Sequence, residues 1–459
     1  MPRNQLIYNQ VGVFAGPAPS SGYHFIAQDG ALSNQSTDYN LVFPLNRVNS
    51  ISWGIAAQRT NVSHLGDLGT LKRPILAYTD VNLDINYLMM GLANEARIGM
   101  HMNIPSGDPL TGNFAYGTGR VCPILGYYSR DYSRTTDISG VNWPMKEYRD
   151  ARNIFVAVRK DTLDFNPATG DIANESNYEN NIFVICFGDC YLNSYNFSAG
   201  VRTLPNATIN YGCNNVVVYD NNNENDIPSI DTKTQEIRSG IKFRIPSAFQ
   251  GTGLPTVLLP SDISLSIKQR NLNSEDLENT TLDFKDIKIQ NFSFNFNLNR
   301  RPLYAVGHKY PLDRRPVFPI FCNLNFECID GDPKAGSMAS LLKNDEEYDI
   351  QIKMSYQKNN QYFSGIAVQY DWIGAKFNNL NSELSISNRK KSEFGFSVEM
   401  NPTDISKGFF ISGYLSLLSM VIPKMYLGDF FFSSSQFGYL LTEDLDQFVV
   451  AEEAVKPVF

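Results

Sequence analysis

The chain is poor in the residues that enzymes use. Four histidines (His24, His64, His101 and His308) are scattered over 459 residues, with no paired carboxylate or metal-ligand spacing around any of them. His64 and His308 read as turn residues in comparable loops. Six cysteines in so long a chain make no disulfide framework. Cys186, Cys322 and Cys328 lie in apolar strand-like runs, where a thiol behaves as a small buried hydrophobe, so reduced thiols are expected. The segment "CFGDC", Cys186 to Cys190, places two thiols at i and i+4 on one strand face, but no second ligand pair accompanies it and no structural zinc is expected. "GDPLTGNFAYGTG" is glycine-rich yet lacks both the following Lys-Ser/Thr and the preceding apolar strand of a phosphate loop. No catalytic, cofactor-binding or metal-binding residue is expected, and the chain does not read as an enzyme.

Cationic excess is also missing. The formal charge is −8 and the pI about 5.2, which excludes a nucleic-acid binder of the usual basic kind. No apolar run is long enough for a membrane span: the most apolar one, Gly408 to Phe432, is cut by Lys424 and Asp429 and reads as a buried strand pair. The N-terminal stretch has no charged head followed by an apolar core, so no secretory signal is expected. Triplets such as Asn61-Val62-Ser63 are then chance matches to a glycosylation site. What the chain has in quantity is Asn, with 24 Tyr and 30 Phe, a composition suited to turns and strands.

One passage is written twice. "ISWGIAAQRTNVSHLGDLGTLKRP" (51–74) is matched by "FSFNFNLNRRPLYAVGHKYPLDRRP" (292–316): a shift of 241 carries Ser52 to Ser293, Arg59 to Arg300 and Gly66 to Gly307. The alternation agrees better than the identities. Ile51, Trp53 and Ile55 answer to Phe292, Phe294 and Phe296, and Val81, Leu83, Ile85 and Tyr87 answer to Cys322, Leu324, Phe326 and Cys328. Period-two alternation with one apolar face marks antiparallel strands half covered by a core. At a shift of 187, "YNFSAGVRTLPNATINYG" (195–212) matches "SELSISNRKKSEFGFSVE" (382–399) as a hairpin. Between strand pair and hairpin each copy has a helix-like piece, Tyr87–Arg97 and Lys334–Asn344.

These matches predict an arm over residues 1–44, a first domain over 45–275 and a second over 276–459 that includes a C-terminal extension. The first copy carries a long insertion, 103–150, rich in Gly, Pro, Tyr and Arg; loops of that length in a compact domain usually serve a function.

The polar faces of the repeated strands are the candidate site. The first copy offers Ser50, Ser52, Gly54, Asp80, Asn82, Asp84, Asn86, Asn196 and Ser198, with Thr208 and Asn210 beside them. The second offers Asn291, Ser293, Asn295, Asn323, Asn325, Glu327, Glu383, Ser385 and Glu399. None of these is Lys or Arg, whereas an ordinary solvated sheet mixes long cations and anions. A short, mildly negative face suits a surface that a polyanion passes without sticking.

In this order of strand, Arg-containing loop, second strand, helix and hairpin, with "LPNAT" at Leu204–Thr208 and "LPSDISLSI" at Leu259–Ile267, the chain resembles the tail tube proteins of tailed bacteriophages. The resemblance implies a mainly β fold: two tandem copies of a β-barrel/sandwich tube domain whose strands close into a ring barrel on oligomerisation. It implies a structural virion protein, the major tail tube subunit, assembled in the host cytoplasm, with the polar residues above lining a lumen for DNA passage. Three chains would supply the six domains of a pseudo-hexameric ring, and the partners would be further copies, the terminator, the tape measure and the baseplate. Tyr127, Tyr128, Arg130 and Tyr132 of the insertion would then reach a neighbouring subunit. No cofactor is implied. A distal-tail or baseplate ring protein is an alternative within the same fold, and a carbohydrate-binding β-sandwich, with "GYYSRDY" (126–132) as its site, is one of another class.

Overall fold

A computed structural model describes residues 11–18, 42–56, 59–62, 80–100, 122–124, 151–159, 182–220, 225–231, 263–270, 288–329, 347–355, 366–383, 391–401 and 406–413, with shorter pieces between and beyond them. The alternating segments become strands, and the fold is mainly β. The first part of the chain runs β1 (Val11–Pro17), β2 (Phe43–Pro44), β3 (Val48–Ala56), β4 (Asp80–Leu88), α1 (Ala93–Ile98), β5 (Arg152–Arg159), β6 (Ile182–Gly200), β7 (Thr203–Cys213) and β8 (Asn215–Tyr219). A short antiparallel pair, β9 (Asn225–Asp226) and β10 (Lys242–Phe243), follows. The second part runs β11 (Ile263–Gln269), β12 (Leu282–Asp283), β13 (Lys288–Asn297), β14 (Arg301–Leu303), β15 (Asp313–Arg315), β16 (Phe321–Ile329), β17 (Glu347–Ser355), β18 (Ile366–Glu383), β19 (Lys391–Glu399) and β20 (Gly408–Gly413).

Both parts pair their strands in one order. In the first, β3–β4–β7–β6 form an inner sheet, and β2–β1–β5–β6–β8 an outer one. In the second, β13–β16–β19–β18 and β12–β11–β17–β18–β20 repeat that order. The long strands β6 and β18 belong to both sheets, their N-terminal halves to the outer and their C-terminal halves to the inner. Strand β13 pairs with β6, so eight inner strands from β3 to β18 form one continuous antiparallel sheet.

The irregularities coincide as well. The β3–β4 ladder slips between Val48 and Ser50, and β13–β16 slips between Ile289 and Asn291, the same places at a shift of 241. The β6–β7 ladder slips between Leu192 and Ser194, and β18–β19 between Phe377 and Asn379. Where β6 bends from one sheet to the other, Asp189 takes a left-handed backbone (φ 48°); at the corresponding bend of β18, Gly374 does the same (φ 72°). A bulge leaves a backbone N–H without its ladder partner, and both bends solve this alike. The Asp189 N–H donates to Asn153 Oδ1 (3.1 Å), and the Gly374 N–H to Asp349 Oδ1 (2.9 Å).

The apolar side of the inner sheet packs on the outer sheets. Leu83, Ile209, Tyr195, Phe294, Leu324 and Phe396 meet Ile154, Val156, Ile350, Ile352 and Trp372 in a single core that runs through both parts. Each such side chain, fully withdrawn from water, contributes roughly 1.5–3 kcal/mol. The far side of the first outer sheet carries Phe14, Phe155 and Ala157 beneath Ile227 and Phe243, and the Phe155 and Phe243 rings lie 4.4 Å apart.

Several expectations change. The first helix covers only Ala93–Ile98: Tyr87 and Leu88 finish β4, and Gly91, at φ 156°, turns the chain before the helix starts. The piece Lys334–Asn344 lies outside the described residues. The "LPNAT" segment lies in β7, and the turn before it is Val201–Arg202, with Arg202 left-handed at φ 66°. Within the expected arm, Val11–Pro17 is β1 and pairs with β5. Ile263–Gln269, placed in the first domain by the boundary at 275, pairs with β17 and so joins the second outer sheet. The thiols of Cys186 and Cys190 do not share a face: Cys186 sits in the core beneath Ile227 and Cys190 in the main core, because the bulge at Asp189 intervenes. All six cysteines are buried thiols outside any disulfide.

Candidate functional site

The eight inner strands set their other face, rows of short polar side chains, toward solvent. One row runs Ser50, Asn86, Thr208, Asn196, Asn295, Asn323, Ser397 across seven consecutive strands. The next runs Ser52, Asp84, Asn210, Ser194, Asn297. Direct cross-strand neighbours lie close enough to bond, and they do. Asn86 Nδ2 donates to Thr208 Oγ1 (2.8 Å), and Asn210 Nδ2 to Asp84 Oδ1 (2.7 Å). Ser198 Oγ donates to Asn206 Oδ1 (2.7 Å), Asn291 Nδ2 to Glu327 Oε2 (2.8 Å), and Asn323 Nδ2 to Asn295 Oδ1 (3.3 Å). The amides are thus tied to one another along the surface, which fixes its short relief.

Of the residues expected on this face, Ser50, Ser52, Gly54, Asn82, Asn196, Ser198, Asn291 and Glu399 are exposed, and Asp84, Asn86, Ser293, Asn295, Asn323, Asn325 and Glu327 are half-buried beside them. Asp80 and Glu383 hold positions in β4 and β18, but their side chains lie outside the described part; so do Ser385 and the loop residues Tyr127, Tyr128, Arg130 and Tyr132. The second-copy hairpin is displaced from its expected register. Its first strand is β18, which ends at Glu383, so the correspondence is a shift of 185, carrying Ile209 to Phe394 and Ser194 to Asn379. Four exposed residues belong to the face that the sequence pattern did not supply: Asn379, Asn381 and Glu393 through the displaced hairpin register, and Asn297 of β13. A cation joins them at the margin, Lys376 opposite Ser397. Exposed Phe321 also belongs here, opposite Glu399.

Behind the face, one ionisable cluster lies in the core where the two parts meet. Glu95 of α1 is fully buried; its Oε1 accepts from the Tyr87 hydroxyl (2.7 Å) and the Tyr195 hydroxyl (3.1 Å), while Oε2 has no partner. Burial pushes the Glu95 carboxyl up to about 7, and burial together with this carboxyl raises Tyr87, Tyr195 and Tyr370 above the ordinary tyrosine range. A carboxyl that holds its proton more tightly when folded stabilises the fold fully below its unfolded pKa, and that contribution is lost as pH rises through about 7. The Glu95→Gln variant, which keeps the acceptor without the charge, is expected to abolish this fall. Thermal melts between pH 5 and pH 8 should show a wild-type loss on the order of 3 kcal/mol that the variant lacks.

Among the described residues no three His, Cys, Asp or Glu side chains gather to hold a metal, and no helix is long and apolar enough to cross a membrane. No family model matches the chain, and no curated protein sequence does. Among solved structures it is similar to the SPP1 tail tube at 10% identity and a TM-score of 0.25, over 40% of this chain and 91% of that one. It is similar to the tube-terminating cap of the anti-feeding prophage at 8% identity and a TM-score of 0.23, over 36% of this chain and 97% of that one. It is similar to an Hcp protein at 9% identity and a TM-score of 0.20, over 33% of this chain and 98% of that one.

Proposed function

We propose that the chain is the repeating subunit of a phage-type tail tube: a tandem duplication of one tube domain, three copies of which close a ring whose bore is the polar inner face. The observation that carries this reading is the continuous eight-stranded sheet, made of two four-strand units in the same order, one face apolar and packed, the other short, polar and poor in cations. Duplication is supported by the shared pairing order, the coincident bulges and the paired solution at Asp189 and Gly374. On this reading the unit boundary falls before β11 rather than at 275.

Three such sheets give a barrel of twenty-four strands. With strands about 4.8 Å apart and tilted by about 40°, the backbone ring is roughly 48 Å across, leaving a bore of roughly 40 Å inside the side chains. A DNA duplex passes through such a bore. A wall carrying Asp84, Glu327, Glu393 and Glu399 repels its phosphates weakly, while among the described residues the Asn and Ser rows offer them only Lys376 at the margin. Stacked rings would form the virion tail, built in the host cytoplasm and joined to terminator, tape-measure and baseplate proteins.

Electron microscopy of the purified chain tests this. Three-fold rings with a bore of roughly 40 Å, stacking into tubes, are the expected result. Single rings that never stack would favour a distal-tail or baseplate ring, and a strictly monomeric protein at high concentration would overturn the reading.

A further inference from the structure

The chain contains one joint between its two units, and it leaves the two halves of a second such joint open at its ends. At the internal joint β6 pairs with β13 from Gly200 opposite Asn291 to Ser194 opposite Asn297. Tyr195 stacks on Phe296 at 5.6 Å and Phe197 on Phe294 at 5.1 Å, and Phe292, Phe294 and Phe296 are buried. Strand β3 is the counterpart of β13. Among the described strands it pairs only with β4, and beyond half-buried Ile51 its apolar side is largely uncovered: Trp53 is 43% exposed and Ile55 55%, where Phe294 and Phe296 are 1% exposed. The Trp53 ring already makes the contact that its counterpart makes, edge-on to Phe187 at 5.7 Å, as Phe294 is to Trp372 at 5.2 Å. What Trp53 lacks is the neighbouring strand. At the other end, positions 377–383 of β18, the counterpart of the C-terminal half of β6, pair with β19 on one side and with no described strand on the other.

We infer that β3 of one chain adds to the open edge of β18 of a second copy, in the register of the internal joint. Carried across by the two shifts, that register sets Ile55 opposite Leu380, Gly54 opposite Asn381 and Trp53 opposite Ser382. Arg59 lies in the same joint. Its counterpart Arg300 ties the loop to β6 by donating from Nε to the Leu192 carbonyl (2.6 Å), and the corresponding acceptor for Arg59 is the Phe377 carbonyl of the second copy. The joint is head to tail, with different surfaces on the two sides, so it either closes a ring or continues without end. Exposed, half-apolar edge strands of this kind demand a partner.

The inference rests on the ring reading but fails separately from it. A full-length chain carrying Gly54→Cys and Asn381→Cys tests the register. No atom lies within 4 Å of a Cβ at Gly54, Asn381 is exposed, and the six native thiols are buried, so background linkage is low. Directly opposed positions lie near the Cβ separation a disulfide needs. Mild oxidation is expected to give a non-reducing ladder that stops at a covalent trimer, whereas the misaligned pair Gly54→Cys with Asn379→Cys gives only monomer. Ile55→Asp, at an exposed position that leaves the monomer fold intact by circular dichroism, is expected to reduce ring formation at least tenfold. Linkage by the misaligned pair instead, or undiminished rings from Ile55→Asp, overturns the joint while rings in the microscope keep the tube reading. Absence of any oligomer in the wild type overturns both.

Discussion

Replacing Phe294 by alanine is expected to cost about 4 kcal/mol of stability, the largest loss of any single truncation in the inner sheet. The side chain is 1% exposed and touches five rings: Tyr370 at 4.7 Å, Phe197 at 5.1 Å, Trp372 and Phe409 at 5.2 Å, and Tyr195 at 5.9 Å between centroids. Three partners are anchored on β18 and β20 of the second part and two on β6 of the first. Removing the ring leaves a cavity that neither part can close alone, since the surrounding backbones are held in ladders on both sides. Truncation of a buried Phe costs about 3–5 kcal/mol, a total in which the transfer, cavity and ring-contact contributions are already combined. Phe321→Ala is the control: in the neighbouring strand but 46% exposed, it should change stability by less than about 1 kcal/mol. Denaturant titration of both variants reads the difference, and a Phe294→Ala protein as stable as Phe321→Ala would mean that the two parts do not share a core.

How much of this is legible in the sequence depends on how many faces of a strand are buried. Strands β3, β4, β13 and β16 have one wet face, so period two shows through, and the shift of 241 taken from it is the one the ladders have. For the hairpin, the shift in the ladders differs by two residues from the one that the sequence pattern suggests. The bulges at Leu192/Ser194 and Phe377/Asn379 break the alternation, so the sequence pattern sets the first hairpin strand two residues too far along and leaves Asn379 and Asn381 outside it. The N-terminal half of β6, "IFVICF", is covered on both faces by the two cores and reads only as a continuous apolar run. Strand β17 is different: "EYDIQIKMS" alternates cleanly, and its signal was present without a partner to reveal its place. The Asn153 and Asp349 side chains that cap the two bends share no sequence context. Only the three-dimensional bulge makes them equivalent.

If the inner face is a passage that must not hold DNA, then giving it cations should turn it into a binding surface without disturbing assembly. Asn82, Asn196 and Asn379 are exposed on three separate strands of the face, far enough apart along the sheet that lysines there do not crowd one another. A triple Asn→Lys variant adds three positive charges per chain to a wall whose charges among the described residues are Asp84, Glu327, Glu393 and Glu399 with Lys376 at the margin. Three chains to a ring would then present enough cations to engage six or more phosphates, which predicts strongly salt-dependent binding. Affinity should fall by about a thousandfold or more between 50 and 200 mM salt, the behaviour expected when about six phosphates are neutralised. Fluorescence anisotropy of a labelled duplex, titrated with assembled protein at several salt concentrations, measures this directly. The wild type and an Asn→Gln control at the same three positions should show no such binding. Wild-type assemblies that bind the duplex with the same affinity and the same salt slope as the lysine variant would remove the non-stick wall from the account, because the Asn and Ser rows would then have no function that cations destroy.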